Sequence, residues 1–261
     1  MFFFLYASNK MDNDQWGRNN PELLAYMKSK ITEELNAGVP FHECLKKVPK
    51  IHLGIIPDGN RRWCKQNGKT LENYSKMIEE ILFGLYNSHR DERDVAYESF
   101  FLIGELSVYV LSKDNMLKRD DGTLKFIEMA MDIVCSLMRI DSISDRVKLD
   151  FIGDIESLPF IIQQQVELCK RLSKGWFPIH LAIGYDPIED STTLLESGMS
   201  LRTPIDMVVR SGGEKRSSGF FPLQTLYSEW VYYDDLWPEM TAMKFNESLL
   251  HFVTRKRNFG K

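Results

Sequence analysis

Short apolar runs alternate along the chain with longer segments in which apolar residues recur every three or four positions. The first pattern is typical of buried strands and the second of helices with one apolar face. Because the two alternate, we expect an α/β fold with a central parallel six-stranded sheet, flanked by helices and joined by right-handed crossovers. The predicted strands are 51–56, 106–111, 147–153, 179–184, 207–209 and 229–233, and the predicted helices are 21–36, 41–47, 61–77, 71–86, 95–103, 123–139, 159–172 and 244–257.

The length of 261 residues allows one large α/β domain with a core of ordinary size. We divide the chain into an N-terminal arm with helices, residues 1–48, and an α/β domain, residues 49–261. The apolar run that opens the chain is far shorter than the ~20 residues needed to span a bilayer, and no signal-peptide cleavage site follows it. The sequence therefore predicts no signal peptide and no membrane span.

The net charge of −4 and the isoelectric point near 5.8 argue against a nucleic-acid-binding protein. Any phosphate-binding site must therefore be a local cluster of basic side chains. The four cysteines are scattered and include no Cys-x-x-Cys pair. This spacing indicates reduced thiols, and we expect a cytoplasmic protein.

The segment Ile51–Trp63 holds the clearest candidate chemistry. Its apolar strand stops at Pro57, which cannot donate to a central ladder, and a turn follows. Asp58 in that turn lies at the carboxyl end of a strand, where open α/β sheets bind their ligands. Arg61 and Arg62 come next, at a predicted helix N-terminus, which favours anions. One carboxylate beside two guanidinium groups suits a phosphate ester bound with Mg²⁺, and a turn with solvated arginines is the plainer alternative.

Three stretches resemble the motifs of a known family. Residues 55–63 read Ile-Ile-Pro-Asp-Gly-Asn-Arg-Arg-Trp, residues 210–218 read Arg-Ser-Gly-Gly-Glu-Lys-Arg-Ser-Ser, and residues 112–119 read Ser-Lys-Asp-Asn-Met-Leu-Lys-Arg. In order, they resemble the Met-Asp-Gly-Asn signature with its Arg-Trp pair, the Arg-x-Gly-Gly-Glu-x-Arg-x-Ser block and, more weakly, the Ser-x-Glu-Asn-Trp-x-Arg turn of the cis-prenyltransferases, the undecaprenyl diphosphate synthase family. The resemblance extends from residue 49 to residue 260 and implies that family's fold, with an apolar substrate tunnel.

The resemblance implies a prenyltransferase that condenses short C5–C10 allylic and isoprenyl diphosphates and releases pyrophosphate. The implied substrates are isopentenyl diphosphate and dimethylallyl or geranyl diphosphate, and the implied cofactor is Mg²⁺. The family also implies a homodimer and peripheral contact with a membrane. By resemblance, the residues involved are Asp58, Asn60 and Asn115 for catalysis, Gly59, Arg61, Arg62, Trp63, Ser112, Arg210, Arg216 and Ser218 for substrate binding, and Asp58 and Glu229 for the metal.

Several positions depart from the family pattern. Pro57 replaces the usual Met, and Met116 replaces an aromatic residue. Leu71 and Ser75 stand where the first helix usually offers a phosphate-binding Arg and a His. The connection 185–204 is shorter than usual, and we expect it to lack a full helix. The sequence detail around both long motifs resembles the lavandulyl and cyclolavandulyl diphosphate synthase branch, which favours short C10–C15 products, some of them branched.

Two alternatives stay open. One is an ordinary chain-elongating cis-polyprenyl diphosphate synthase, and the other is a non-catalytic partner subunit of a cis-prenyltransferase. The presence of the acidic and basic motif residues argues against the partner subunit. The all-helical trans-prenyltransferases do not fit, because Asp120-Asp121 and Asp234-Asp235 lack the third acid of an Asp-Asp-x-x-Asp box.

Overall fold

The computed structural model describes residues 50–70, 103–118, 121–145, 147–197 and 203–255, together with Ser29. In these ranges the chain forms a six-stranded parallel sheet flanked by helices, as predicted, with the strand order β3-β4-β2-β1-β5-β6. The strands are β1 (Ile51–Ile56), β2 (Ile103–Ser112), β3 (Val147–Ile152), β4 (Phe177–Tyr185), β5 (Met207–Arg210) and β6 (Glu229–Tyr232). The helices are α1 (Asn60–Gln66), α2 (Lys113–Lys118), α3 (Asp121–Met138), α4 (Asp141–Ser144), α5 (Phe160–Leu172), α6 (Pro187–Glu196) and α7 (Ala242–Thr254), with a 3₁₀ turn at Trp237–Glu239.

Two neighbouring strands in the sheet, β1 and β5, are buried over their whole length. Their residues are mostly Ile, Leu, Val and Met, which is the composition of strands covered on both faces. Gly54 in β1 leaves room for the ring of Phe220, because an added Cβ would lie 2.8 Å from that ring. Strand β3, at one edge, instead starts with alternating buried and exposed residues. The best-covered part of the sheet is therefore at β1 and β5.

The chain leaves β1 and β5 in opposite directions along the sheet. Strand β1 is followed by β2 on one side, whereas β5 is followed by β6 on the other. In open α/β sheets, the carboxyl ends of two such neighbouring strands border a crevice in which ligands bind. Ile56 pairs with Arg210, so the residues that follow β1 meet the end of β5 at this edge. The topology therefore brings the first and second sequence motifs together.

The six strands lie where the sequence predicts them, although β2 begins at Ile103 rather than at Leu106. The predicted helices at 123–139, 159–172 and 244–257 correspond to α3, α5 and α7. The turn predicted after β2 is the short helix α2. Apart from Ser29, which is helical, the predicted helices at 21–36, 41–47 and 71–86, and positions Leu71 and Ser75, lie outside the described residues. The predicted helix at 95–103 also lies outside them, except for Ile103, which belongs to β2 instead.

The helix predicted at 61–77 is wrong over residues 67–70, and residues 71–77 lie outside the described ones. The N–H of Lys69 donates to the carbonyl of Cys64 at 2.8 Å, and the N–H of Gly68 donates to the carbonyl of Lys65 at 3.5 Å. Gly68 has a φ of 62°, in the left-handed region. This combination is the glycine-dependent helix end known as the Schellman motif. A local turn therefore ends α1 inside a segment whose composition is compatible with a longer helix.

The expectation that the connection 185–204 lacks a full helix is also wrong, because α6 occupies Pro187–Glu196. Asp186 caps this helix, and its Oδ1 accepts hydrogen bonds from the N–H groups of Ile188 (2.8 Å) and Glu189 (3.1 Å). Pro187 occupies the first turn, where its missing N–H has no cost. A strong N-terminal cap thus allows a ten-residue helix to form in a short connection.

Two compact units divide the chain, one formed by His52–Met77 and Glu105–Pro238, the other by Met1–Ile51, Ile78–Gly104 and Glu239–Lys261. The first contains the candidate site. In the second, the side chain of Thr241 caps α7 by accepting from the N–H of Lys244 at 3.4 Å. None of the described helices is both long and apolar enough to cross a bilayer.

Candidate active site

The turn after β1 places Asp58 at the carboxyl edge of the sheet. Gly59 has a φ of 105°, and an added Cβ would lie 2.8 Å from the side chain of Leu236. The carbonyl of Asp58 accepts hydrogen bonds from the N–H of Trp237 (2.9 Å) and the hydroxyl of Ser211 (2.8 Å). The backbone of Asp58 is therefore fixed by the segments that follow β5 and β6.

The guanidinium group of Arg210 joins the two long motifs. Its Nη2 donates to Asp58 Oδ2 at 2.9 Å, while its Nη1 donates to the carbonyl of Arg216 at 2.6 Å and to Ser218 Oγ at 2.7 Å. The side chain of Arg210 is 4% exposed, whereas that of Asp58 is 34% exposed. Hydrogen bonds between charged groups are roughly twice as strong as neutral ones. Arg210 therefore holds both the carboxylate and the loop of the second motif, and leaves one side of the carboxylate accessible.

Arg62 approaches the same carboxylate from α1. Its Nη2 lies 3.4 Å from Asp58 Oδ1 and donates to the carbonyl of Gly212 at 2.8 Å. Gly212 has a φ of 90°, and an added Cβ would lie 2.7 Å from that Nη2 atom. The N–H of Gly212 donates to the carbonyl of Asp235 at 2.7 Å. Glycine at this position therefore lets the backbone pass directly beside the carboxylate and the guanidinium group.

The end of β2 forms another wall of the site. Ser112 Oγ accepts from the N–H of Asn115 at 3.1 Å and so caps the start of α2. The hydroxyl of Tyr109 donates to the carbonyl of Ser218 at 3.2 Å, which joins β2 to the loop of the second motif. Burial raises the pKa of Tyr109 to about 12, against the opposing effect of a hydrogen bond with Ser112. The phenol is therefore neutral near pH 7 and acts as a donor.

Aromatic rings support the loop of the second motif from inside the protein. The ring centroids of Tyr109 and Phe220 are 5.5 Å apart, and Phe221 lies 4.9 Å from both Phe220 and Tyr185. Ser218 and Phe221 have φ values of 50° and 40°, in the left-handed region, which costs about 1–2 kcal/mol for each residue. The packing and the bond from Arg210 offset this strain and fix the loop.

These elements border a cavity of about 610 Å³. This volume is typical of sites for small molecules. Charged and amide side chains share the lining with apolar ones, which suits a ligand with an anionic group and an apolar chain. The polar lining includes Asp58, Asn60, Arg61, Arg62, Ser112, Asn115, Arg210, Arg216 and Ser218, and the apolar lining includes Leu111, Phe126 and Ile127.

All but two of the residues proposed from the resemblance, Gly59 included, border this cavity. Trp63 is one exception, and the Nζ of Lys69 lies 5.5 Å from its ring centroid. Glu229 is the other, because it opens β6 and pairs with Met207, whereas Arg210 pairs with the last residue of that strand. At about 3.3 Å per residue, Glu229 lies about 10 Å from the carboxyl edge of the sheet. Within one chain, Glu229 therefore lies at the amino ends of the parallel strands, and Asp58 lies at their carboxyl ends.

Two buried polar atoms at the cavity have no hydrogen-bond partner among the described residues, namely Asn60 Oδ1 and Arg210 Nε. The Nδ2 of Asn60 donates to the carbonyl of Pro57 at 2.8 Å, which fixes the orientation of the amide. An unsatisfied buried group costs about 1–3 kcal/mol. A polar ligand that supplies an acceptor to Arg210 and a donor, or bound water, to Asn60 would remove this cost.

Asp58 is the one carboxylate that borders the cavity in the described part of the chain. In the same part, no group of three His, Cys, Asp or Glu residues is arranged to hold a metal ion. Magnesium commonly binds through one or two carboxylates together with substrate phosphate oxygens and water. The residues present therefore fit a Mg²⁺ ion that binds together with a phosphorylated substrate. They do not form a metal site from protein ligands alone.

Three contributors to the site were missed in the sequence. Ser211 lies inside the second motif, and its hydroxyl could have been noted there. Tyr109 precedes Ser112 by three positions on the strand that leads to the site, so its position near the sheet edge was predictable. Leu236, which packs against Gly59, gives no sequence signal, because only the fold brings it to the turn.

Comparison with known proteins identifies the family. The family model of the undecaprenyl diphosphate synthases, Prenyltransf, matches residues 56–194 and 185–260. The tritrans,polycis-undecaprenyl-diphosphate synthase (geranylgeranyl-diphosphate specific) of Aeropyrum pernix is 32% identical over 225 residues, which cover 80% of this chain and 97% of that protein. The ditrans,polycis-undecaprenyl-diphosphate synthase ((2E,6E)-farnesyl-diphosphate specific) of Shewanella oneidensis is 25% identical over 263 residues, covering 90% of each chain.

Two solved structures share the fold. The lavandulyl diphosphate synthase from Lavandula x intermedia, in complex with dimethylallyl diphosphate, aligns with a TM-score of 0.59 and 23% identity, covering 82% of this chain and 100% of that one. A probable undecaprenyl diphosphate synthase from Campylobacter jejuni aligns with a TM-score of 0.58 and 21% identity, covering 80% and 98%. Members of the matched family are prenyl diphosphate synthases. The chain belongs to the undecaprenyl diphosphate synthase family, the cis-prenyltransferases.

Proposed function

We propose that this protein condenses short C5–C10 allylic and isoprenyl diphosphates, with release of pyrophosphate, to form a short-chain prenyl diphosphate. The observation that carries the proposal is the ion pair between Asp58 and Arg210 at the carboxyl edge of β1 and β5. This pair unites the two long motifs at a cavity with basic and apolar lining. Membership of the family supports the reaction class, and the mixed lining supports an amphiphilic diphosphate as the ligand.

Basic side chains on two elements suit two diphosphate groups. Arg61 and Arg62, at the start of α1, hold the allylic diphosphate. Arg210, Arg216 and Ser218 hold the diphosphate of isopentenyl diphosphate. Forked guanidinium hydrogen bonds orient a phosphate group as well as compensating its charge. Ionisation of the allylic C–O bond produces an allyl cation and pyrophosphate, and these donors stabilise the negative charge that develops on the leaving group.

We propose Mg²⁺ as the cofactor, with Asp58 as its protein ligand beside the substrate phosphates. When bound, such an ion neutralises charge on a departing diphosphate. The amides of Asn60 and Asn115 orient the substrate groups around this position. Glu229 lies at the opposite sheet edge of the same chain, so it reaches a metal only if a second copy presents it. The proposal therefore includes a homodimer.

The apolar part of the lining protects the allyl cation. Leu111, Phe126 and Ile127 line part of the cavity. Apolar lining of this kind limits the access of water, which would otherwise add to the cation and end the reaction as an alcohol. The same side chains bury the prenyl chain, and each CH₂ group removed from water stabilises the bound state by about 0.8 kcal/mol.

We also propose a cytoplasmic location with peripheral membrane contact, supported by the free thiols in the described part of the chain and by the apolar products.

We propose C10–C15 products, some of them branched. The support is the likeness of both motifs to the lavandulyl branch and the replacement of a phosphate-binding Arg and a His by Leu71 and Ser75. Helix α6 removes the support that a missing helix in connection 185–204 would have given. Ordinary chain elongation is the second candidate, favoured by the names of the relatives from Aeropyrum pernix and Shewanella oneidensis. A non-catalytic subunit is disfavoured by the assembled Asp58, Arg62 and Arg210 cluster.

The product class is tested by incubating the full chain with Mg²⁺, isopentenyl diphosphate and either dimethylallyl or geranyl diphosphate. Products are dephosphorylated and identified by mass spectrometry against linear and branched standards. A parallel reaction with dimethylallyl diphosphate alone tests whether this substrate also acts as the acceptor. We expect C10–C15 products. Linear products of C30 or longer would indicate ordinary chain elongation. The absence of any product, also when farnesyl (C15) or geranylgeranyl (C20) diphosphate replaces the shorter allylic substrate, would indicate a non-catalytic subunit.

A further inference from the structure

Two cysteine thiols face each other where two helices pack together. Neither cysteine borders the cavity. Cys135 of α3 and Cys169 of α5 are both buried, and their Sγ atoms are 2.9 Å apart. A disulfide bond is about 2.05 Å long, so a closure of about 0.9 Å separates these thiols from a covalent link. Neither cysteine has a role in the proposed reaction.

Polar contacts beside the thiols fix the alignment of the two helices. Gln165 of α5 donates from Nε2 to Asp132 Oδ1 at 2.5 Å and to the carbonyl of Glu128 at 3.2 Å, both in α3. The thiol of Cys135 is 3.4 Å from the carbonyl of Gln165 and donates to it. Because these contacts hold the register of α3 against α5, the folded protein keeps the two sulfur atoms facing each other.

We propose that Cys135 and Cys169 form a reversible disulfide when a peroxide oxidises the protein, and that this cross-link restrains α3. Hydrogen peroxide oxidises one thiol to a sulfenic acid and leaves as water. The second sulfur then displaces the sulfenic hydroxyl, which leaves with the remaining thiol proton as a second water, so two thiols and one peroxide give one disulfide and two waters. A small dithiol reverses the step by thiol–disulfide exchange.

The two sulfur atoms are not equivalent. A hydrogen bond with Cys169 lowers the pKa of Cys135, against the opposing effect of burial. The same hydrogen bond, with burial, raises the pKa of Cys169. Because the thiolate is the reactive form, Cys135 is the sulfur that peroxide oxidises first, and Cys169 is the one that resolves the sulfenic acid.

The cross-link bears on the cavity because α3 supplies part of its lining. Thr123, Phe126 and Ile127 lie between about two and three and a half helical turns before Cys135 in the same helix. A covalent tie between α3 and α5 limits the movement of this lining segment. The oxidised protein therefore has a less adaptable cavity wall than the reduced protein. This inference does not depend on the proposed reaction.

The disulfide is tested on the full chain by exposure to hydrogen peroxide, removal of the oxidant, alkylation of free thiols after denaturation, and peptide mapping without reduction. We expect two of the four cysteines to escape alkylation and a linked peptide pair that contains Cys135 and Cys169, which dithiothreitol removes. Four alkylated thiols, a link between other cysteines, or conversion of either residue to sulfinic acid without a link would overturn the proposal.

Three variants test whether the disulfide joins Cys135 to Cys169. Cys135→Ser and Cys169→Ser should show no such link, whereas Cys64→Ser, which removes a buried thiol from α1, should still form it. Restraint of α3 is measured by amide hydrogen exchange. In oxidised wild-type protein, exchange across residues 121–138 should slow by about threefold or more, and peroxide should leave it unchanged in Cys169→Ser. A disulfide that forms without slower exchange would contradict the restraint.

Discussion

Arg210 and Asp58 are 152 positions apart in the chain, yet a hydrogen bond of 2.9 Å joins Nη2 of the arginine to Oδ2 of the aspartate. The arginine is buried and the aspartate is partly accessible. The pair therefore has two consequences, since it holds the end of β5 against the turn after β1 and presents one side of a carboxylate to the cavity. Stability and chemistry at this site are coupled through the same contact.

A double-mutant cycle measures this coupling. Removing one partner leaves the other charge partly uncompensated, so Asp58→Ala and Arg210→Ala should each lower the free energy of unfolding by about 2–3 kcal/mol. The double variant should lose less than the sum, with a coupling energy of about 1–3 kcal/mol by urea denaturation. The exposed pair Asp114–Lys118, whose side chains are 79% and 72% exposed, is the matched control and should show less than about 1 kcal/mol. Additive losses at Asp58 and Arg210 would contradict the ion pair's role.

Substitution of two glycines that have a left-handed backbone distinguishes the effect of backbone strain on stability from the effect of site geometry on activity. At Gly68, an added Cβ meets nothing within 4 Å, so Gly68→Ala should cost about 1 kcal/mol of stability and leave activity unchanged. At Gly212, the Cβ would lie 2.7 Å from Arg62 Nη2 and 3.1 Å from Asp58. Gly212→Ala should therefore carry the same strain and also lower kcat/KM by about tenfold or more. Equal activity in the two variants would show that the Gly212 turn does not position these side chains.

The sequence was sufficient to predict how the site assembles. The apolar run 51–56 ended by Pro57 identified β1, and a parallel sheet required Asp58 and Arg210 to share an edge. The end of α1 and the existence of α6 were not predicted. Gly68 ends α1 through a local turn, and the Asp186 cap with Pro187 starts α6, so short-range backbone geometry decided both cases. Both cap signals were present in the sequence, in Gly68 for the end of α1 and in Asp186-Pro187 for the start of α6.

Contacts between distant elements were beyond the sequence. Cys135 and Cys169 meet because α3 packs on α5, which the spacing of four scattered cysteines does not indicate. Phe220 and Phe221 follow the second motif in the sequence, and both are buried beside β1 and β5. Their aromatic character gave no means of distinguishing core from interface, because large rings are common in both.

A partly buried polar cluster on the sheet predicts how stability depends on pH. Burial disfavours protonation of His180, but hydrogen bonds to Asp150 (3.2 Å) and Glu105 (2.7 Å) outweigh it and raise the pKa to about 9. His52 lies close by, with ring centroids 6.0 Å apart, and burial lowers its pKa. His180 is therefore the protonated member of the cluster near pH 7.

Because His180 has a higher pKa in the folded state than its value of about 6.5 in the unfolded chain, its protonation stabilises the folded state fully at pH values below about 6.5. This stabilisation is lost as the pH rises through about 9. The free energy of unfolding should fall by up to about 3 kcal/mol between pH 6.5 and 9.5. His180→Gln, which cannot be protonated, should show a much smaller fall over the same range. Urea denaturation at several pH values checks this, and parallel curves for the two proteins would contradict the assignment.

The homodimer is tested through residues before the edge strand β6. Leu226 and Tyr227 are 70% and 74% exposed, which is unusual for large apolar side chains. We expect twice the mass of the 30.4 kDa chain by light scattering at micromolar concentration. Leu226→Asp should weaken the dimer, whereas Leu195→Asp, at another exposed leucine on α6, should not. A monomer mass for the wild-type protein would contradict the predicted homodimer and, with it, the proposed role of Glu229 as a metal ligand.

The most direct test of the proposed reaction is Asp58-dependent pyrophosphate release. Wild-type protein, Asp58→Asn and the control Asp114→Asn are incubated with Mg²⁺, isopentenyl diphosphate and dimethylallyl diphosphate, and pyrophosphate is measured over time while circular dichroism monitors folding. We expect release by the wild type and Asp114→Asn, and release slower by about a hundredfold or more in folded Asp58→Asn. Undiminished release by folded Asp58→Asn, or none by the wild type, would contradict the account.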